Sequence, residues 1–212
     1  MNASRNLTKH PTALTAILSF AAIAGYVAYR LTLGGADTPT DFAVVMDHDH
    51  DEAGAAGDML PGIVLNDLAG SPTSLSSLAG EPLLINFWAT WCAPCLREIP
   101  MLKAFHEDNP SVRVVGIAVD DADKVAEYAS RMEFNYPVLI GVAEGMEAMA
   151  YLHNDAGAMP FSVFTAADGT VLGNHAGELH PEHLEVLSAT LAELTSGAID
   201  VADARERLAD LF

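Results

Sequence analysis

The chain has 212 residues, and half of them are hydrophobic, so it is long enough for one domain with a sizeable core and too apolar for wholesale disorder. It carries 29 acidic and 10 basic residues, and the first 36 residues hold three of the basic ones and none of the acidic ones. The remaining body is strongly acidic and would be repelled by phosphate backbones, so no nucleic-acid partner is expected.

An apolar, uncharged stretch runs from Ala13 to Tyr29 and is preceded by Arg5 and Lys9. Its length of about 17 residues is near the lower limit for a membrane-spanning helix. The excess of positive charge before it predicts a cytoplasmic N-terminus and an exported body. We therefore predict a cytoplasmic tail and signal anchor over residues 1–33, which would make the protein single-pass in a bacterial inner membrane with its catalytic domain periplasmic or otherwise extracytoplasmic. A cleaved signal peptide is the alternative, because Gly34-Gly35-Ala36 offers small residues at a processing site.

Residues 34–60 mix Gly, Ala, Asp, His, Thr and Pro without sustained periodicity, which predicts a flexible acidic linker. His48 and His50 alternate with aspartates there, and such a run either ligates a metal ion or is simply solvated. A solvated linker is the more common case for such a run, so we assign no metal site. We place the folded domain at residues 61–196 and a C-terminal helical extension at residues 197–212.

Within the folded domain, apolar strands alternate with amphipathic helices and are followed by an antiparallel hairpin and a closing helix. The predicted elements in chain order are a strand at Ile63–Leu65, a strand at Leu83–Trp88, a helix at Pro94–His106, a strand at Val112–Val119, a helix at Asp123–Met132, a strand at Pro137–Ile140, a helix containing Met146, Met149 and Leu152, hairpin strands at Phe161–Thr165 and Thr170–Leu172, and a helix that begins at Pro181. This order predicts an α/β fold with a mixed central sheet and helices on both of its faces.

Only two cysteines occur, Cys92 and Cys95, where a central strand gives way to a helix. That spacing places them on adjacent helical turns, close enough for a disulfide, with Cys92 exposed and Cys95 covered by the helix. We expect the helix N-terminus to lower the pKa of the Cys92 thiol from the ordinary value of about 8.5 toward the range of roughly 3.5 to 7.5 that is found in such motifs. We therefore predict that Cys92 is the nucleophile, that Cys95 resolves the mixed disulfide, and that this pair is the redox group without a further cofactor. Metal ligation, which needs two more ligands, and inert core cysteines are the alternatives.

The segment from Asn86 to Pro100, NFWATWCAPCLREIP, resembles the TlpA/ResA-like membrane-anchored thiol:disulfide oxidoreductases, a branch of the thioredoxin superfamily. The resemblance extends more loosely over about residues 60 to 195 and implies a thioredoxin-like three-layer fold. It also implies that Met159-Pro160 is a cis peptide bond beside the active-site disulfide, where the backbone holds a substrate strand. Trp91 would shield the site and contact the substrate, and Trp88 would pack beneath it.

Typical thioredoxins have a buried aspartate where this chain has Asn86, so that proton acceptor is missing here. In similar proteins a glutamate at the position of Glu98 lies near the thiols. A partly buried carboxylate there could accept the proton of Cys95 and couple the redox state to pH. A solvated glutamate on the surface is the alternative.

Proteins of this type commonly reduce disulfides of exported proteins, notably in cytochrome c maturation and in the assembly of oxidase copper sites. They draw electrons from a membrane thiol transporter. The resemblance therefore implies an exported protein-disulfide reductase with these two kinds of partner. Two alternatives stay open: an exported disulfide oxidase, because the direction depends on the reduction potential, and a copper- or metal-handling protein. A peroxidase is disfavoured, because Ala89 stands where peroxiredoxins have threonine.

Overall fold

The computed structural model describes residues 58–211, so the predicted anchor, nearly all of the predicted linker and the His48/His50 run lie outside the described residues. No helix within residues 58–211 is long and apolar enough to cross a membrane. The described chain joins the sheet at once, because Met59 forms a bridge with Thr170 and Leu60 is buried.

One mixed sheet forms the centre of the described region. Its strands are β1 (Val64–Asp67), β2 (Pro72–Ser74), β3 (Leu83–Trp88), β4 (Arg113–Ala118), β5 (Val138–Ile140), β6 (Phe161–Thr165) and β7 (Val171–Ala176). They lie in the order β2-β1-β5-β4-β3-β6-β7. The three consecutive strands β5, β4 and β3 run parallel, and β6 pairs antiparallel with β3. The predicted mixed sheet is confirmed.

Helices cover both faces of this sheet. They are α1 (Ala93–Asp108), α2 (Ala122–Met132), α3 (Val142–Tyr151), α4 (Pro181–Ser196) and α5 (Val201–Ala209), with a short 3-10 helix at Leu75–Leu78. Buried residues of α1, α2, α4 and α5 form the core on one face, and buried residues of α3 and the 3-10 helix pack on the other. The result is the three-layer arrangement predicted from the sequence.

Strand β3 is buried at all six positions, as expected for a central strand covered on both faces. Alternate side chains therefore enter the two cores: Leu84 and Trp88 pack on the side of α1, and Ile85 and Phe87 on the other. Asn86 is the one polar residue of this strand and is 1% exposed. By the same alternation it lies on the α1 side, below the helix that carries the cysteines.

Two strands differ from the sequence prediction by more than two residues. Strand β7 continues to Ala176, four residues beyond its predicted end, because it is an outer strand of the sheet and can carry polar side chains such as Asn174. Strand β2 was not predicted, since Pro72–Ser74 has no apolar alternation. It pairs only with β1 at the opposite edge, where a proline is tolerated.

Candidate active site

Cys92 and Cys95 are joined by a disulfide at the start of α1, as predicted. Cys92 is the N-cap of that helix, and its Sγ accepts the N–H of Cys95 at 3.4 Å. Cys92 is placed there by a tight turn. In this turn the N–H of Cys92 donates to the carbonyl of Ala89 at 3.1 Å. Pro94 in the first helical turn suits this position, because its missing N–H would have had no intrahelical partner.

The two cysteines differ less in exposure than the sequence predicts. Cys92 is 5% exposed and Cys95 is fully buried. The prediction that Cys92 is exposed was wrong, because its side chain turns back over the helix N-terminus and joins the core under α1. Cys92 is still the more accessible of the two, which is the order that nucleophilic attack by Cys92 requires.

The Met159-Pro160 peptide bond is cis, which confirms the expectation drawn from the resemblance. Its loop is fixed by Asn154, which is buried and hydrogen-bonds both the carbonyl (2.8 Å) and the N–H (3.1 Å) of Ala158. On the other side, the N–H of Gly177 donates to the carbonyl of Pro160 at 2.9 Å. Sequence reasoning missed Asn154, whose only visible feature was its place five residues before Met159.

The two tryptophans occupy opposite environments. Trp88 is fully buried, and its ring lies 5.5 Å from the rings of both Tyr128 and Phe134, so it packs beneath the site as predicted. Trp91, next to Cys92, is 66% exposed. It offers a large aromatic surface to solvent beside the disulfide, and its predicted contact with substrate stays a prediction.

Glu98 lies on the inner side of α1 and is 2% exposed, so the alternative of a solvated surface glutamate is wrong. Its Oε1 accepts the side-chain amide of Asn86 at 2.7 Å, and its Oε2 accepts the N–H of Leu179 at 2.9 Å. Asn86 also donates to the hydroxyl of Ser162 at 3.1 Å. The asparagine that replaces the usual buried aspartate thus holds the glutamate in place.

Burial raises the pKa of Glu98 to about 7. The hydrogen bonds from Leu179 and Asn86 act in the opposite direction because they stabilise the carboxylate, while the charge of Glu178 adds to the increase and His180 opposes it. A carboxyl group with a pKa near 7 can accept and release a proton at neutral pH.

A second buried carboxylate lies on the other side of the cysteine turn. Asp120, just after β4, is 7% exposed, and its Oδ2 accepts both the N–H (3.0 Å) and the hydroxyl of Thr90. Burial alone would raise its pKa, but hydrogen bonds from Thr90 and the N–H of Asp121, together with Lys124, lower it below the usual value. Within residues 58–211, Glu98 and Asp120 are the only Asp, Glu, Lys, Arg or His side chains that are buried.

The sequence prediction missed Asp120. A signal was present, because Asp120 directly follows a buried strand, and the carboxyl ends of parallel strands such as β3 and β4 meet at one edge of the sheet. No group of three or more His, Cys, Asp or Glu side chains in the described part of the chain is arranged to hold a metal ion.

The proteins to which this chain is similar include a thiol-disulfide oxidoreductase, in agreement with a redox site at Cys92 and Cys95. Residues 56–172, more than half of the chain, match the model of the AhpC/TSA family. The thiol-disulfide oxidoreductase ResA of Bacillus thuringiensis is 29% identical over 132 residues, which cover 61% of this chain and 74% of that protein.

Two solved structures share the fold at similar identity. The first is a secreted Mycobacterium tuberculosis disulfide oxidoreductase described as homologous to E. coli DsbE, with 28% identity, a TM-score of 0.53, and coverage of 61% of this chain and 96% of the other. The second is a thiol:disulfide interchange protein of the thioredoxin family from Chlorobium tepidum, with 30% identity, a TM-score of 0.51, and coverage of 60% and 90%. The resemblance noted around the cysteine pair is confirmed. The chain belongs to the AhpC/TSA family and is a thiol:disulfide oxidoreductase of the thioredoxin superfamily.

Proposed function

We propose that the protein is an exported protein-disulfide reductase. The observation that carries the proposal is the Cys92–Cys95 disulfide at the N-terminus of α1. In the reduced enzyme, the Cys92 thiolate attacks a substrate disulfide, and one substrate sulfur leaves as a thiolate that takes up a proton. Cys95 then attacks Cys92 Sγ, which releases the second substrate thiol. Two electrons pass to the substrate, and the enzyme is left with the disulfide seen here.

Glu98 is the proposed proton acceptor for Cys95. Cys95 is fully buried and must lose its proton before it can attack Cys92. Glu98 lies one helical turn further along α1 and is equally enclosed, and its pKa of about 7 suits it to take a proton at neutral pH. The other buried carboxylate, Asp120, has a lowered pKa and is a weaker base than Glu98.

The proposed substrate is an extended segment of an exported protein, held beside the Met159-Pro160 loop. The loop is fixed at both ends, by Asn154 and by Gly177, so its backbone can hold a strand with little loss of conformational freedom. Trp91 would pack against the same segment, since its indole is already largely in solvent next to Cys92.

The reductive direction rests on the resemblance of the segment around the cysteine pair to TlpA/ResA-like proteins. We propose that the physiological substrates are disulfides in apocytochrome c or in oxidase copper sites, and that a membrane thiol transporter supplies the electrons. The apolar stretch Ala13–Tyr29 would anchor the protein in the inner membrane with the domain outside the cytoplasm. An exported oxidase, in which the same steps run in reverse, is the outcome that would replace this proposal.

Trapping the intermediate tests the assigned roles. Reduced full-length Cys95→Ser, mixed with a protein that contains a reducible disulfide such as insulin, should accumulate a covalent mixed disulfide, because the second attack is missing. The matched Cys92→Ser protein should accumulate almost none. The products are counted on non-reducing gels. Equal trapping by the two variants, or release of insulin thiols by Cys92→Ser at the wild-type rate, would refute the mechanism.

A further inference from the structure

Asp120 forms hydrogen bonds to the turn that carries Cys92. Thr90, in the middle of this turn, donates both its N–H and its hydroxyl to the same carboxylate oxygen, Oδ2 of Asp120. The other oxygen, Oδ1, accepts the N–H of Asp121 at 2.7 Å. Within the turn itself, the backbone bond from Cys92 to Ala89 closes the loop. Asp120 therefore links the end of β4 to the residues that connect β3 with α1.

Asp120 depends on Thr90 for most of the hydrogen bonds that its buried carboxylate receives. A buried carboxylate is unfavourable unless its oxygens are hydrogen-bonded, and two of the three hydrogen bonds that satisfy Asp120 come from Thr90. Asp121 uses its own side chain to cap α2, so it does not compete for Thr90. The fold thus keeps a buried charge whose main partner is the active-site turn.

The conformation of the turn matters for the nucleophile. The Sγ of Cys92 faces the N–H of Cys95 at the start of α1, and a thiolate at that place is stabilised by this N–H and by the helix dipole. That stabilisation depends on where the turn places the sulfur. The neighbouring Trp91 is 66% exposed, so its side chain does little to restrain the turn.

We propose that Asp120 is a positioning residue for the nucleophile, which holds Thr90 so that Cys92 Sγ stays directed at the N-terminus of α1 in the reduced enzyme. The inference rests on the proposed role of Cys92 as the attacking cysteine. Asp120 acts through Thr90 and carries no proton in the reaction. This positioning of the sulfur lowers the pKa of Cys92 and speeds its attack on the substrate disulfide.

Charge and geometry must be separated in the test, because several charged groups surround Asp120. Lys124 of α2 lies 3.9 Å from Oδ1, and acidic side chains line the cleft beside it. These acidic residues are Asp67 of β1, Asp121 and Asp123 at the start of α2, and Glu144 of α3. Replacing Asp120 would alter this field directly. Thr90→Val leaves every charge in place and exchanges only the hydroxyl for a methyl group of similar size, so a change in the Cys92 pKa would report on geometry.

The experiment measures the rate at which iodoacetamide alkylates reduced full-length protein as a function of pH. Thr90→Val should raise the pKa of Cys92 and slow alkylation below the wild-type midpoint by about three- to tenfold. Thr90→Ser, which keeps the hydroxyl, should stay within about twofold of wild type. Asp168→Asn is the matched control, because Asp168 accepts the N–H of Thr170 at 2.9 Å in the distant β6–β7 turn, and it should leave the profile unchanged.

Coupling between Thr90 and Asp120 completes the test. In an Asp120→Ala background, Thr90→Val should have no further effect on the Cys92 pKa, since the acceptor is already gone. An undiminished effect there, or a Thr90→Val profile equal to wild type, would overturn the positioning role. If Asp120→Ala does not fold, the comparison of Val, Ser and Thr at position 90 decides alone. Persistent disulfide exchange by Cys92→Ser would instead overturn the proposed function.

Discussion

The two buried carboxylates beside the cysteine turn differ in what surrounds them. Glu98 is 2% exposed and receives one hydrogen bond on each oxygen, and burial raises its pKa to about 7. Asp120 is 7% exposed and receives three hydrogen bonds, with Lys124 3.9 Å away, and its pKa is lowered. Burial alone therefore does not decide the charge of a carboxyl group. The number of donors and a nearby cation decide which group titrates and which stays ionised.

The largest expected effect concerns stability. The pKa of Glu98 is raised from 4.5 in the unfolded chain to about 7 in the fold, so the folded protein binds the extra proton between these values. Its free energy of unfolding should therefore fall, relative to Glu98→Gln, by about 3 kcal/mol as pH rises from 4.5 to 7, and then level off. Urea unfolding of both proteins at several pH values measures this. Parallel pH profiles would show that Glu98 does not titrate in this range.

Asp120 should give a pH dependence of the opposite sign. Its pKa is lowered in the fold, so the stability it contributes is present above the ordinary value of 3.8 and is lost as pH falls further. The free energy of unfolding lost in Asp120→Asn, relative to wild type, should therefore shrink as pH falls below 3.8. The contrast between the two carboxylates would fail if this loss grew instead.

The next effect concerns the rate of disulfide exchange. Without a proton acceptor for Cys95, Glu98→Gln should slow resolution of the mixed disulfide by about a hundredfold at pH 7 and abolish the rate change centred near pH 7. Stopped-flow reduction of a model disulfide across pH 5.5 to about 8.5 is the measurement. A slow but unshifted pH profile would assign Glu98 a structural role only.

The smallest effect is expected at Glu178, a partly exposed neighbour of Glu98. Glu178 forms an ion pair with Arg97 on the surface of α1, where solvent screens the interaction. Glu178→Gln should leave stability and exchange rates close to wild type, and it is the control for charge removal near Glu98. A loss of activity as large as that of Glu98→Gln would mean that the ion pair, rather than the buried carboxyl group, controls the site.

The part of the site that is local in sequence could be predicted. Cys92 and Cys95 are three residues apart at a strand–helix junction, so their pairing follows from helical geometry. The apolar run of β3, interrupted only by Asn86, predicted its bounds correctly, because a strand buried on both faces shows no alternation of polar and apolar side chains. The cis bond before Pro160 required the family resemblance, since nothing in the local sequence distinguishes it.

Contacts between residues far apart in sequence could not be predicted. Glu98 was a candidate, but its burial depends on Asn86 and on the backbone of Leu179, which lies 81 residues away. Asp120 meets Thr90 across 30 residues, and from sequence alone an aspartate there is equally typical of a helix start. Such pairs depend on the order of strands in the sheet, which a single sequence does not determine.

The reduction potential of the Cys92/Cys95 couple tests the proposed reductase most directly. Full-length protein would be equilibrated with glutathione or dithiothreitol redox buffers, and the oxidised fraction counted after alkylation of free thiols. We predict a potential well below about −200 mV, at which the reduced enzyme passes electrons to substrate disulfides. A value near the roughly −120 mV of strong exported oxidants would contradict it and assign the protein to disulfide formation.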